Sequence, residues 1–202
     1  MATTIRWTSA DLEKLPHDEM NRYEIIEGEL FVSKTPHTYH QLVCMNAGAL
    51  LKAWNDKTGS GLTMGAPGVI FSEDNDVIPD VVWISKARFQ AALGAGGHLY
   101  QAPELVIEVL SPGSQNTRRD RELKLKLYSR CGVDEYWIMD WPTRRVEVFR
   151  RTEASLQLVS TLDAGDTLTT PLLAGFAAQI ASFFEGIPPQ TEADKNKGPR
   201  EE

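Results

Sequence analysis

Two cysteines, Cys44 and Cys131, are all that 202 residues contain, with no CxxC pair and no histidine at a recognised ligand spacing. A disulfide framework and a structural zinc site are therefore not expected, and a reducing cytoplasm is the predicted compartment. Long apolar runs are missing too: no stretch approaches the roughly 18 consecutive residues of a membrane helix. Met1 to Trp7 lacks the basic, apolar and small-residue segments of a secretory signal. No membrane partner is expected. Basic residues are in the minority, 21 against 28 acidic, for a net charge of -7. That argues against a protein that coats nucleic acid, because every phosphate contact needs a local cation. It leaves room for one that cuts nucleic acid, since metal ions also carry positive charge. The deficit is uneven: ten basic residues face six acidic ones between Arg118 and Arg151, so this segment is +4 and the rest -11.

What is present reads as one α/β domain over residues 1–186, a mixed sheet flanked by helices with β-hairpins at both ends. Ser9 to Glu13 predicts a short capped helix ended by Pro16, and Tyr23 to Val32 a hairpin turning at Glu27-Gly28. Apolar residues at helical spacing predict a helix over His37 to Lys57. Leu62 to Phe71 reads as a strand interrupted at Gly65 to Gly68, Glu73 to Asp76 as a turn, and Val77 to Ile84 as a second, β-branched strand. A helix over Ser85 to Leu93 and a glycine loop over Gly94 to Gly97 precede Leu105 to Leu110. That apolar run is the length of a central strand covered on both faces. Thr117 to Cys131 predicts a helix closed by Gly132, followed by strands at Glu135–Met139, Arg145–Phe149 and Leu156–Ser160. A last helix is expected near Ala177 to Glu185, and residues 187–202 read as a disordered tail.

Two carboxylates stand where structure alone would not put them. Asp80 follows Pro79 in a β-branched run, and Glu108 lies inside the most apolar strand. Burying an ionised carboxylate costs several kcal/mol unless it is paired, hydrogen-bonded or metal-bound. Two carboxylates from adjacent strands suit a hard cation such as Mg²⁺. At about 100° per residue, Leu123, Leu127, Tyr128 and Cys131 share one arc of the following helix. Asp120 and Lys124 fall in the middle of that arc, whereas Arg118, Arg119, Glu122, Lys126 and Arg130 fall outside it. An aspartate, a glutamate and an inward lysine fit metal-assisted phosphodiester hydrolysis: the cation polarises the phosphoryl oxygen, and the lysine orients water or stabilises charge on phosphorus.

In order, Tyr23–Leu30, His40, Ile78-Pro79-Asp80-Val81, Leu105–Pro112, Arg119-Asp120 through Lys124 to Tyr128, and Gly132–Asp140 resemble the Uma-two family of bacterial endonucleases. That family lies in the PD-(D/E)XK, restriction-endonuclease-like superfamily, and the resemblance runs from about Tyr23 to about Phe184. It implies a restriction-endonuclease-like core, DNA as substrate, and Mg²⁺ or Mn²⁺ as cofactor. Asp80 matches the PD aspartate and Glu108 the second acidic position. Leu110 stands where the superfamily places its lysine, and Lys124 matches the helical position to which the family moves that function. Glu24 matches an N-terminal glutamate implied to join the site, and the backbone carbonyl of Val109 is implied as a further metal ligand. Asp120 and Tyr128 are additional site candidates, and Arg118, Arg119 and Arg121 the nucleic-acid-binding ones.

Other signals carry less. His40 reads as a capping or packing residue rather than a ligand or base, and Tyr136, Trp137 and Trp141 as core aromatics. Ser111 to Ser114 suits a plain strand-to-helix turn as well as it suits a phosphate contact. Three function classes stay open: a metal-dependent DNA endonuclease, acting as a homodimer on duplex DNA; an inactive nucleic-acid-binding or regulatory protein on the same scaffold; and an interaction domain whose buried charges form only a salt-bridge network.

Overall fold

In the computed structural model, which describes residues 5–16, 21–94, 96–111 and 113–188, the first hairpin turns on two consecutive positive φ angles. Glu27 (φ 54°) and Gly28 (φ 79°) form the kind of tight turn whose twist matches antiparallel strands. It joins β1 (Asn21–Ile26) to β2 (Glu29–Lys34), after a short helix α1 (Ser9–Leu12). Helix α2 (Thr38–Thr58) starts at His37, whose Nδ1 accepts the Tyr39 N–H at 3.1 Å, and ends at Gly59 in the left-handed region.

The chain then crosses twice between two sheets. Strand β3 (Gly61–Gly65) leaves one sheet at the glycine-proline break, where Ala66 takes φ 48°, and β4 (Val69–Ser72) enters the other. The interrupted strand expected over Leu62 to Phe71 is thus two strands in two sheets. Only Glu73-Asp74 form the turn, because β5 (Asn75–Val77) begins at once and carries Ile25's partner, Asp76. Ile78-Pro79-Asp80 is the return crossing, and β6 (Val81–Ser85) follows it. The single strand expected over Val77 to Ile84 is broken there. Proline, with no N–H for a ladder, suits such a break.

Helix α3 (Lys86–Ala92) leads to β7 (Leu105–Val109), every residue of which is buried. Then α4 (Ser114–Arg118), a π-helical turn (Arg119–Lys124) and α5 (Leu125–Cys131) run as one helix ended by Gly132 at φ 91°. Strands β8 (Glu135–Asp140), β9 (Arg145–Thr152) and β10 (Ser155–Leu162) complete a six-stranded mixed sheet ordered β10-β9-β8-β7-β6-β3, in which β7 and β8 run parallel. The N-terminal hairpin extends into a four-stranded sheet ordered β2-β1-β5-β4. A second C-terminal hairpin pairs β11 (Thr167–Thr169) with β12 (Ala177–Gln179). The helix expected near Ala177 is reduced to α6 (Ile180–Phe183), because Ala177 to Gln179 pair as a strand.

Each face of the main sheet carries a core. Leu105, Ile107 and Val109 pack with α2 and the C-terminal segment, while Val106 packs with Leu127, Tyr128 and Tyr136 under α5. Ile187 belongs to the first core and accepts a hydrogen bond from Arg144, so the packed domain extends past residue 186. The rest of the expected tail, from residue 189, lies outside the described residues. Among those described, no helix is long and apolar enough to cross a membrane.

Candidate metal and phosphodiester site

Antiparallel register between β6 and β7 pairs Val81 with Ile107, so Asp80 faces Glu108 one step further on. Strand alternation then turns Glu108 toward the face that carries Val106, beneath the helix with the π turn. The two carboxylates are linked through the backbone, since Val109 N–H donates to Asp80 Oδ2 at 2.9 Å. Asp80, Glu108, Val109, Arg119 and Lys124 line one cavity of about 310 Å³. Its other wall is the segment from Val32 to His37, with Arg22 and His40 beside it.

Lys124 is only 1% exposed, and its Nζ reaches Glu108 Oε1 and Glu24 Oε1, each at 2.9 Å. Asp120 Oδ1 is 3.9 Å away. Tyr128 OH donates to Glu108 Oε1 at 2.7 Å, and the Ile78 N–H donates to Glu24 Oε1 at 2.9 Å. Arg22 and Glu24 are two apart on β1 and share one face, so the smaller sheet sends both side chains into the site. Arg22 Nη1 lies 3.1 Å from Asp80 Oδ1.

The charges do not balance evenly. Burial alone would raise Asp80, but the His40 hydrogen bond and the charges of His40, Lys124 and Arg22 hold it well below the ordinary carboxylate range. Burial raises Glu24 as well, and Lys124 and Arg119 bring it below its ordinary value. Glu108 is different: burial outweighs Lys124, and Asp80, Asp120 and Glu24 add repulsion, so it is pushed up to about 8. Burial works against a charged Lys124, but Glu108, Glu24 and Asp120 overcome it and keep the ammonium protonated. Burial next to Glu108 keeps the Tyr128 phenol protonated, as a donor.

Two further groups enter that the sequence reading placed elsewhere. His40, 3% exposed, neither caps nor simply packs; its Nε2 lies 3.1 Å from Asp80 Oδ2, and the cap is His37. Its Nδ1 is 3.5 Å from Cys44 Sγ, so Cys44 does have a histidine partner, one helical turn away. The His-x-x-x-Cys spacing on a predicted helix was the available signal. Arg119, placed outside the inward arc at α-helical spacing, instead bonds Asp120 Oδ1 at 3.0 Å and approaches Glu24 Oε2 at 3.8 Å. The π turn is the reason: its i→i+5 bonding brings Arg119 onto the side of Lys124, five residues on. Arg118 is exposed and pairs with Glu122, while Arg121 is engaged by Glu147 and Asp140. Ser111 lines the cavity, and Pro112 lies outside the described residues. Tyr136, Trp137 and Trp141 are buried in the cores.

A mixed sheet flanked by helices, with Asp80 and Glu108 facing across neighbouring strands, fits the restriction-endonuclease-like fold that the sequence resemblance implies. The chain belongs to the Uma2 family, described as "Putative restriction endonuclease", whose model matches residues 9–181. Among solved structures it is similar to a "putative nuclease belonging to DUF820" from Anabaena variabilis ATCC 29413. That match has a TM-score of 0.70 and 18% identity, over 88% of this chain and 97% of that one. No curated protein matches the chain.

Proposed function

We propose that this protein is a divalent-metal-dependent endonuclease that hydrolyses DNA phosphodiester bonds. The observation that carries the reading is the meeting of Asp80, Glu108 and the buried Lys124 around one cavity. The donor set fits a hard cation. Four carboxylates (Glu24, Asp80, Glu108, Asp120) crowd together, and repulsion from the other three adds to burial, the larger cause, in raising Glu108. Positive charge is what would relieve that repulsion.

Asp80 and Glu108, with the Val109 carbonyl, are the residues that would hold Mg²⁺ or Mn²⁺. A cation held there supplies Lewis-acid polarisation of a phosphoryl oxygen and a lowered pKa for water. The chain's own groups do the rest. Lys124, protonated, stabilises negative charge accumulating on the phosphoryl oxygens and is not available to accept a proton. Glu24 and Asp120 hold the ammonium from behind, and Tyr128 fixes Glu108 through a bond to the same oxygen that Lys124 uses. Arg119 borders the cavity and its chain neighbour Arg118 is exposed, which supports the reading that they meet flanking phosphates. Cleavage of both strands suits a homodimer with two such sites.

The test compares the parent and Asp80→Ala proteins on supercoiled, linear and single-stranded DNA with Mg²⁺ or Mn²⁺. Cleavage by the parent alone is the expected result. Equal cleavage by both removes the catalytic assignment. A parent that binds DNA with undiminished affinity after Asp80→Ala, yet never cuts, is a binding protein on this scaffold.

A further inference from the structure

Asp80 Oδ2 has two lone pairs, and the structure shows a group facing each. Val109 N–H takes one at 2.9 Å, and His40 Nε2 faces the other at 3.1 Å. Two cis ligands, each about 2.1 Å from an octahedral ion, lie about 3.0 Å apart. The 3.1 Å between His40 Nε2 and Asp80 Oδ2 is an ordinary hydrogen-bond distance that two donors to one cation also adopt.

Behind the ring, the Cys44 Sγ lies 3.5 Å from Nδ1, and the ligand atoms of His40, Cys44 and Asp80 all fall within 4.8 Å of one another. The cavity distinguishes the two non-carboxylate donors. His40 borders the space shared with Asp80 and Glu108, whereas Cys44 borders a neighbouring groove along α2 that Asp80 also lines but Glu108 does not. The donor presented to the carboxylate pair is therefore imidazole nitrogen, and the thiol stands one layer back.

We propose that His40 is a protein ligand of the cation held by Asp80 and Glu108, and that its nitrogen tilts the site from Mg²⁺ toward first-row transition ions. The proposal rests on the metal-dependent reading above and adds a donor to it. Mg²⁺ takes oxygen ligands almost exclusively, while imidazole favours transition ions. Coordination through Nε2 requires the Nδ1–H tautomer, and Cys44 Sγ is the acceptor positioned for that proton. A ligating histidine fixed through its other nitrogen is the usual arrangement. Cys44 is thus a positioning residue, with no contact to the cation.

Electron spin-echo spectroscopy of Mn²⁺ bound to the full chain tests this without reference to cleavage. The expected result is a ¹⁴N coupling that becomes a ¹⁵N coupling in protein grown with ¹⁵N-histidine, a comparison that needs no variant. The coupling should vanish in His40→Gln, and the preference for Mn²⁺ over Mg²⁺ in a competition titration should narrow. Cys44→Ala should keep the coupling and weaken Mn²⁺ binding by about tenfold. Mn²⁺ bound without nitrogen coupling overturns the assignment and leaves the carboxylate site standing. A coupling that persists in His40→Gln overturns it as well, because the nitrogen then belongs to another histidine. No Mn²⁺ binding by the parent overturns both this assignment and the metal-dependent reading.

Discussion

Glu108 and Glu135 sit on neighbouring parallel strands, 2% and 1% exposed, each followed by apolar residues, yet they do opposite things. Glu135 faces the α2 side of the sheet. Its Oε1 accepts the Trp137 indole N–H at 2.7 Å, and its Oε2 accepts Thr170 Oγ1 at 2.6 Å and Arg150 Nε at 3.1 Å. One acid meets one cation and two neutral donors, and the result joins β8 and β9 to the segment after β11. Glu108 shares one ammonium with a second glutamate and stands near two aspartates, beside a cavity. The difference teaches that a buried carboxylate is not in itself a sign of chemistry. Several acids sharing cations beside open space give a stronger reason to propose it, because stability alone is better served by a pairing like that of Glu135.

The comparison is broken most directly by removing one charge from each strand. Glu108→Gln should lower metal-dependent cleavage by about 10³-fold or more, the scale of losing a group that stabilises the transition state. Glu135→Gln should leave the cleavage rate within a few-fold of the parent. Equal losses in a nicking assay would erase the distinction. Next in size is Lys124→Met, which removes the ammonium shared by Glu24 and Glu108 and leaves Arg119 as the cation beside Glu24 and Asp120. It should cost about 3–5 kcal/mol in metal-free urea denaturation, the scale of a broken buried pair. A loss below about 1 kcal/mol would mean that Lys124 does not hold Glu24 ionised and that the charge description of the site is wrong.

Glu108 also gives the contrast a pH dependence. Its ordinary value is 4.5 and the folded chain raises it to about 8, so between these values the folded state holds a proton that the unfolded chain releases. This contribution is fully present below about pH 4.5 and is lost as pH rises to about 8. In EDTA, the parent should therefore fall behind Glu108→Gln across that window, by an amount on the order of a few kcal/mol at its upper end. Parallel stability curves for the two proteins would show that Glu108 ionises in the ordinary range.

How much of this is legible in the sequence depends on whether a feature is local. The β1–β2 turn, α2, the buried β7 and the glycine that ends α5 follow from residues within a few positions of one another. The inward face of Asp120 and Lys124 follows from helical spacing. What local pattern misses is geometry imposed from outside the segment. Val77 to Ile84 reads as one strand because its residues are β-branched, and only the existence of a second sheet explains the crossing at Pro79. Arg119 is excluded by an α-helical rule that the π turn does not obey. His40 reads as a lone histidine until the fold brings Asp80, forty positions away, to its ring. Glu135 makes the same point in reverse: in sequence it stands at the head of an apolar run, and only the fold supplies Arg150 and Thr170 as its partners.

The smallest effect concerns two ion pairs of identical spacing in one helical segment. Arg118–Glu122 and Asp120–Lys124 are both i,i+4, and the first pair is 71% and 64% exposed, whereas the second is 2% and 1%. Water screens the exposed pair, and ordering two long side chains offsets most of what attraction remains. Arg118→Ala should therefore change stability by no more than about 0.5 kcal/mol, and the change should disappear in high salt. If Arg118 meets a flanking phosphate, the same substitution should flatten the salt dependence of DNA binding by about one counterion while the melting temperature stays put. A large stability loss would place Arg118 in the buried network with Arg119. An unchanged salt slope would leave Arg118 as a solvated residue, and the proposed phosphate contacts would then fall to Arg119 and the groups lining the cavity.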